Sequence, residues 1–257
     1  MKKVVGFVVI LVLLSLALQA CQMSVPSFLA TPTPTMTSTP RPTATRTLTP
    51  TRTPYPSITP NMRATREADD MTALVEKYKA DGYIASAEGK YYKLDDFQEN
   101  FAEIYYYMWY GIEDRKGDLI PATDFVMRSD VSWDSASDTP NESGCGFVFR
   151  NDSERNHYAV FLLTTGNTIA WINLDKVKRL GTKRFGSPQV KGQANLTIVV
   201  VDEKIHVFVD DQFIKTYMGA RSFTGGNHLA FSINSGTNKS YGTRCTFRNT
   251  FLYVLKE

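Results

Sequence analysis

Histidine and cysteine are scarce, three of each in 257 residues. His157, His206 and His228 stand far apart with no metal-ligand spacing, so no metal centre is legible in the chain. There is no Gly-x-Ser-x-Gly elbow, no phosphate-cradling glycine loop and no free thiol set beside a histidine, which removes the commonest routes to nucleophilic or phosphoryl-transfer chemistry. Acidic residues are missing from the first 66 positions, where Lys2, Lys3, Arg41, Arg46, Arg52, Arg63 and Arg66 lie. The formal net charge of +3 is therefore misleading: from residue 67 onward 22 basic residues face 26 acidic ones, a balance of −4 that gives no nucleic-acid footprint. Helical periodicity is absent after residue 112, and the only long apolar run is at the N-terminus. A hydrophobic fraction of 42% still suffices for a real core.

That run, Val4 to Leu14, follows the basic pair Lys2-Lys3 and continues to Ala17, short for a membrane span and ordered like a secretory leader. It ends in Leu18-Gln19-Ala20-Cys21, which resembles the lipobox of bacterial lipoproteins, with Leu18 at −3, Ala20 at −1 and Cys21 as the residue to be diacylated. The resemblance implies a signal peptide over 1–20 and an extracytoplasmic, surface-exposed protein held to the cell membrane by lipid. The alternatives are an ordinary thiol at Cys21 or an uncleaved anchor over Val4–Ala17. Assigning Cys21 to lipid leaves an even pair, Cys145 and Cys245, expected as a disulfide in an exported domain, with two buried free thiols as the alternative.

Residues 21–62 alternate Thr and Pro (TPTPTMTSTPRPTATRTLTP). Such a segment has no apolar face and few backbone donors, so the expectation is an extended disordered linker; about 40 residues at ~3.1 Å each reach on the order of 100 Å. A short amphipathic helix is predicted over 65–81, within a segment 63–82. Met71, Leu74, Val75 and Tyr78 recur at helical spacing, Glu67, Asp69 and Asp70 are placed in its first turn, and Gly82 stops it. Its apolar face serves to dock on the following domain or, alternatively, to self-associate.

Residues 83–257 read as strands. Tyr105 to Tyr110 is an aromatic run whose period fits strand or helix; the strand reading puts Tyr105, Tyr107 and Trp109 on one face and Tyr106, Met108 and Tyr110 on the other. Phe125, Met127, Ser129, Val131 and Trp133 alternate against Val126, Arg128, Asp130 and Ser132. The stretch LTIVVVDEKIHVFVDDQFIKTY reads as a three-strand meander with acidic tight turns. Lys176 to Arg184 is a basic stretch, expected as a solvated loop, with contact to an acidic polymer as the second reading. Short strands at short intervals predict an all-β, two-sheet antiparallel sandwich.

The runs FVMRSDVSWDSASDTPNESGCGFVFRNDSERNHYAVFL, IHVFVDDQFI and SGTNKSYGTRCTF resemble the concanavalin A-like (laminin G-like, family-16 glucanase-like) jelly-roll domains of extracytoplasmic bacterial proteins. The resemblance implies two curved sheets face to face, with ligands on the concave face or a sandwich edge. The glucanase branch carries a Glu-x-Asp-x-x-Glu strand that sets nucleophile and general acid on one face. No such motif occurs here: Asp95, Asp96 and Glu99 lack the spacing, and Asp130 and Asp134 flank Ser132-Trp133 without a third acid. The reading is therefore a non-enzymatic module that binds carbohydrate or cell-envelope polymer. Its expected ligand-binding residues are Tyr106, Trp109, Tyr110, Trp133 and Trp171, with ordinary inter-sheet packing as the competing account of the aromatics. A glycoside hydrolase of the same superfamily and a structural envelope protein are the alternatives. No cofactor is expected; Asp152, Asp210 and Asp211 are candidate calcium ligands, with turn chemistry the simpler account. His206, alternating outward from its strand, is expected to face solvent.

Overall fold

The computed structural model describes residues 62–256 apart from 115, 153 and 221–225. The leader, Cys21 and the Thr/Pro linker read from the sequence lie outside the described residues.

Helix α1 (Met62–Ala80) buries Met71, Val75 and Tyr78, the stripe set by its helical spacing. It begins three residues earlier than expected, so Glu67, Asp69 and Asp70 sit beyond the first turn, which holds no acid. Glu67 is instead held by Arg63 one turn back and by Lys93 of the sheet. The helix stops at Gly82, at φ +77°, where the Gly82 amide donates to the Lys79 carbonyl (3.0 Å) and the Tyr83 amide to that of Tyr78 (2.9 Å). This is the paired closure of a Schellman cap, available because glycine enters the left-handed region without steric cost.

Thirteen strands follow: β1 (Gly89–Lys93), β2 (Phe97–Phe101), β3 (Tyr106–Gly111), β4 (Phe125–Ser135), β5 (Gly144–Asn151), β6 (His157–Leu163), β7 (Asn167–Leu174), β8 (Lys176–Arg184), β9 (Lys191–Val201), β10 (Lys204–Val209), β11 (Gln212–Met218), β12 (His228–Ser235) and β13 (Thr243–Leu255). They form two antiparallel sheets. One is seven-stranded, in the order β1-β13-β4-β9-β10-β11 with β2 also on β13; the other is six-stranded, in the order β3-β12-β5-β6-β7-β8. The chain passes between sheets after β2, β3, β4, β8, β11 and β12, which makes the sandwich jelly-roll-like. The basic stretch expected as a loop is an edge strand, β8, because the neighbouring β7 supplies backbone partners along its length, from Asn167↔Arg184 to Leu174↔Lys176.

The meander is closed by the tight turns the sequence suggests: Asp210 and Asp211 both take φ > 0 (50° and 63°), as a two-residue hairpin turn requires. Neither is set up as a metal ligand. Asp210 Oδ1 accepts from the Asn195 amide, and Asp211 pairs with Arg128 through both guanidinium arms (2.6 and 3.2 Å).

Alternation along each strand sorts side chains into three layers. Phe125, Met127, Val131, Phe147, Phe149, Val160, Leu196, Ile198, Phe231 and Phe247 fill the space between the sheets. The Cys145–Cys245 disulfide crosses the same space, joining β5 to β13 over a sequence separation of 100 with Cα atoms 5.6 Å apart. On the outer face of the seven-stranded sheet, α1 covers Val126, Val199, Phe208 and Tyr253. That helix, with Tyr83 just beyond it, also corrects the expectation for His206. The ring does leave the sheet on the outer side, but Tyr83 packs on it at 4.9 Å, it is only 6% exposed, and its Nδ1 is bonded to Thr216 Oγ1 (2.8 Å). The third layer lies on the outer face of the six-stranded sheet.

Candidate functional site

Strand parity places Tyr107 and Trp109 of β3, Ala230 of β12, Val148 of β5, Ala159, Phe161 and Leu163 of β6, and Ile169 and Trp171 of β7 together on that outer face. Their neighbours in sequence, such as Cys145, Phe147, Val160, Leu162, Ala170 and Ile172, point into the inter-sheet core. This explains why HYAVFLL reads as apolar on both faces: every residue of β6 is buried.

The face is sharply concave. Tyr107 and Trp171 belong to strands separated by β12, β5 and β6, which on a flat sheet is four spacings, or roughly 19 Å at ~4.8 Å each. Side chains stand roughly perpendicular to a sheet, so only inward curling brings these two rings to a centroid distance of 5.3 Å. Tyr107 also meets Phe161 edge-on at 6.3 Å, and Phe161 stacks on Trp171 at 4.6 Å. The curl needs small residues at its middle. A Cβ at Gly146 would collide with the Val160 carbonyl oxygen, and one at Gly144 with that of Leu162, so these two positions accept only glycine and carry no side chain on this face.

Two polar features stand out among the rings. The Tyr107 hydroxyl is bonded to His157 Nε2 (2.8 Å), whose Nδ1 lies 2.6 Å from the Arg155 carbonyl; the carbonyl can only accept, so Nδ1 carries the proton and the phenol donates to Nε2. Burial pushes the His157 pKa down and that of Tyr107 up, the latter eased by the nearby Trp171 and Asn173 side chains. Trp171 is 8% exposed, and its indole Nε1 lies near the Tyr107 oxygen without making a full hydrogen bond.

Of the five aromatic residues expected to bind ligand, the fold gathers Trp109 and Trp171 on this face and disperses the rest. Tyr106 and Tyr110 lie on the opposite side of β3, Tyr106 63% exposed and Tyr110 packed on Phe97 at 5.1 Å. Trp133 belongs to the core between the sheets, 4% exposed, its indole N–H donating to the Gln189 carbonyl at 3.0 Å. It therefore offers no open stacking surface, because the same alternation that marks β4 as amphipathic turns Trp133 inward with Met127 and Val131. Tyr107, Phe161 and His157 were not singled out from the sequence. The parity of YYYMWY holds Tyr107 with Trp109, but nothing local reveals that β3 curls over β7.

A second concavity, about 630 Å³, lies beside α1 and is lined by Glu67, Lys77, Arg128, Asp130, Asn249 and Phe251 among others. Three of its charges are already committed: Glu67 to Arg63 and Lys93, Arg128 to Asp211, and Asp130 to the side-chain amides of Asn195 and Asn249 (2.9 Å each). No group of three or more His, Cys, Asp or Glu poised for a metal occurs among the described residues.

Fold and site together define a two-sheet antiparallel β-sandwich with an aromatic concave face. No family model matches the sequence, and no curated protein matches it. Among solved structures, the chain is similar to the carbohydrate binding module CBM66 from Bacillus subtilis (TM-score 0.41, 12% identity, 60% of this chain and 99% of that one). It is also similar to the VIP36 exoplasmic/lumenal domain in its Ca2+/Man3GlcNAc-bound form (0.47, 9%, 64% and 86%). A third similarity is to a fructosyltransferase from A. japonicus (0.45, 13%, 65% of this chain), of which it spans about a quarter, 26%.

Proposed function

We propose that the protein is an exported lipoprotein whose sandwich binds carbohydrate on the concave face of the six-stranded sheet, anchored through Cys21 and the Thr/Pro linker. The observation that carries the reading is the pair of half-buried rings on this face, Tyr107 and Trp109, with Tyr107 packed on Trp171 beneath. Sugar rings present an apolar C–H face to stack on such partly exposed rings. Binding is favoured over glycoside hydrolysis at this face because the six strands contain no Asp or Glu, and hydrolysis calls for a pair of carboxyl groups about 5–9.5 Å apart.

The test is a glycan array read with the full chain and two variants. Trp171→Phe keeps an apolar ring but shrinks the one beneath Tyr107, and Trp109→Ala removes the partly exposed ring at the rim. Each is expected to weaken the array signal by about tenfold, the worth of one good ring contact. Unchanged signal in both correctly folded variants would refute the assignment. For the anchor, fractionation of cells fed labelled fatty acid is expected to find label on the protein and lose it in Cys21→Ala.

A further inference from the structure

We infer that the ligand of the concave face is an acidic polysaccharide, one whose sugars carry uronate carboxylates; this deepens the glycan-binding reading above and rests on it. The six-stranded sheet contains no acidic residue, and its edge strand β8 carries Lys176, Lys178, Arg179, Lys183 and Arg184, five cations in nine residues. This inverts the charge of the chain beyond residue 66, where acids outnumber bases by 26 to 22.

The register decides where the charge points. Arg179 pairs across the strands with Trp171 and Arg184 with Asn167, so both guanidinium groups rise on the concave side, Arg179 directly beside the Trp171 indole. Lysines that merely guard a sheet edge against pairing need no such placement. Neither arginine is tied up by a strong partner. Arg179 meets Glu142 from the β4–β5 loop at 3.5 Å with both side chains more than half exposed, a pair of little strength, and Arg184 donates to the Gly186 carbonyl. Lys176, Lys178 and Lys183 have no ion pair among the described residues, and Lys215 of β11 lies beside Gly181 of β8.

A planar carboxylate accepts two N–H groups from an arginine side by side, and the pyranose ring that bears it supplies the C–H face for the rings below. The concave face thus offers stacking and charge to a sugar unit beside Arg179, with Arg184 five residues further along the edge, while Lys176, Lys178 and Lys183, opposite Leu174, Ile172 and Thr168, lie on the other face of β8.

The experiment compares the full chain's affinity for polygalacturonate, alginate and hyaluronan with that for each polymer after reduction of its carboxylates to alcohols. At least one uronate polymer is expected to bind at least about tenfold tighter than its reduced twin, and this preference to shrink as salt rises from about 50 to about 500 mM. The double variant Arg179→Gln/Arg184→Gln, whose sites are exposed, is expected to lose that preference. Equal affinity for charged and reduced polymers, or a double variant that keeps the preference, overturns the inference. If binding is seen, is insensitive to carboxylate reduction and is lost in Trp171→Phe, the acidic specificity falls and carbohydrate binding stands. If neither form of any polymer binds, the acidic specificity falls here, and the glycan array decides the parent reading separately.

Discussion

Removing the Cys145–Cys245 bond should destabilise the sandwich by a calculable amount. The bond closes a loop with a sequence separation of 100, running from β5 to β13, and it joins the two sheets across the core. Chain-entropy arithmetic for a loop of that length gives about 4.7 kcal/mol at 25 °C, as freedom the unfolded chain regains once the link is cut. Both cysteines are fully buried, so alanine is the suitable replacement: it keeps the site apolar at the cost of a small void, whereas serine would bury an unbonded hydroxyl. Urea unfolding of wild type and Cys145→Ala/Cys245→Ala is the assay. With a urea slope near ~2 kcal/mol/M, the midpoint should fall by about 2 M, and the slope should rise because the unlinked unfolded chain exposes more surface. A loop-closure mechanism makes a further demand: either single substitution removes the whole constraint, so the singles and the double should lie within about 1 kcal/mol of one another. A loss under about 1 kcal/mol, or singles that add up to the double, would refute the reasoning.

Two other perturbations are informative. Arg150 is 3% exposed and donates to Asp124 Oδ1 (2.7 Å) and to the Thr123 carbonyl (3.1 Å), so Asp124→Ala leaves a buried cation without its counter-ion and is expected to cost about 3 kcal/mol by thermal or urea unfolding; a loss below about 1 kcal/mol would contradict that burial. His157 and His206 both have pKa values lowered by burial, so each is held neutral in the fold and takes up its proton more readily when unfolded. Stability from both is fully present above the unfolded-state value near ~6.5 and lost as pH falls through it toward the lower folded-state values, so the urea midpoint should drop between about pH 7 and about pH 5. His157→Gln/His206→Gln should flatten that dependence, and an unchanged slope would show that other groups set it.

Much of the architecture is local information. Period-two alternation in Phe125–Trp133 fixes which side of β4 meets the other sheet; once β4 is a strand, no tertiary knowledge is needed to say that Met127 and Val131 share a face. The paired aspartates at 210–211 mark a hairpin because both adopt positive φ, and Met71, Val75 and Tyr78 mark α1 by their spacing. The even cysteine pair gives a disulfide once Cys21 is set aside for lipid. The start of α1 was not legible, because the acids at 67–70 that resemble a first turn are used as ion-pair partners further along the helix. Nor was β8: a basic stretch looks like a loop until a neighbouring strand supplies its hydrogen bonds.

The candidate site divides in the same way. Residue type and parity put Tyr107 beside Trp109 and mark Trp171 as an aromatic on a strand, since a strand's two faces follow from its own geometry. Whether an outward-pointing tryptophan is open, roofed or buried between sheets depends on what the rest of the chain lays against it. That is why His206 ends beneath Tyr83 and Trp171 within reach of Tyr107 four strands away. The curl that joins those last two is the sum of small twists over five strands, eased by Gly144 and Gly146, and a cumulative, non-local quantity of that kind is written in no single stretch of sequence.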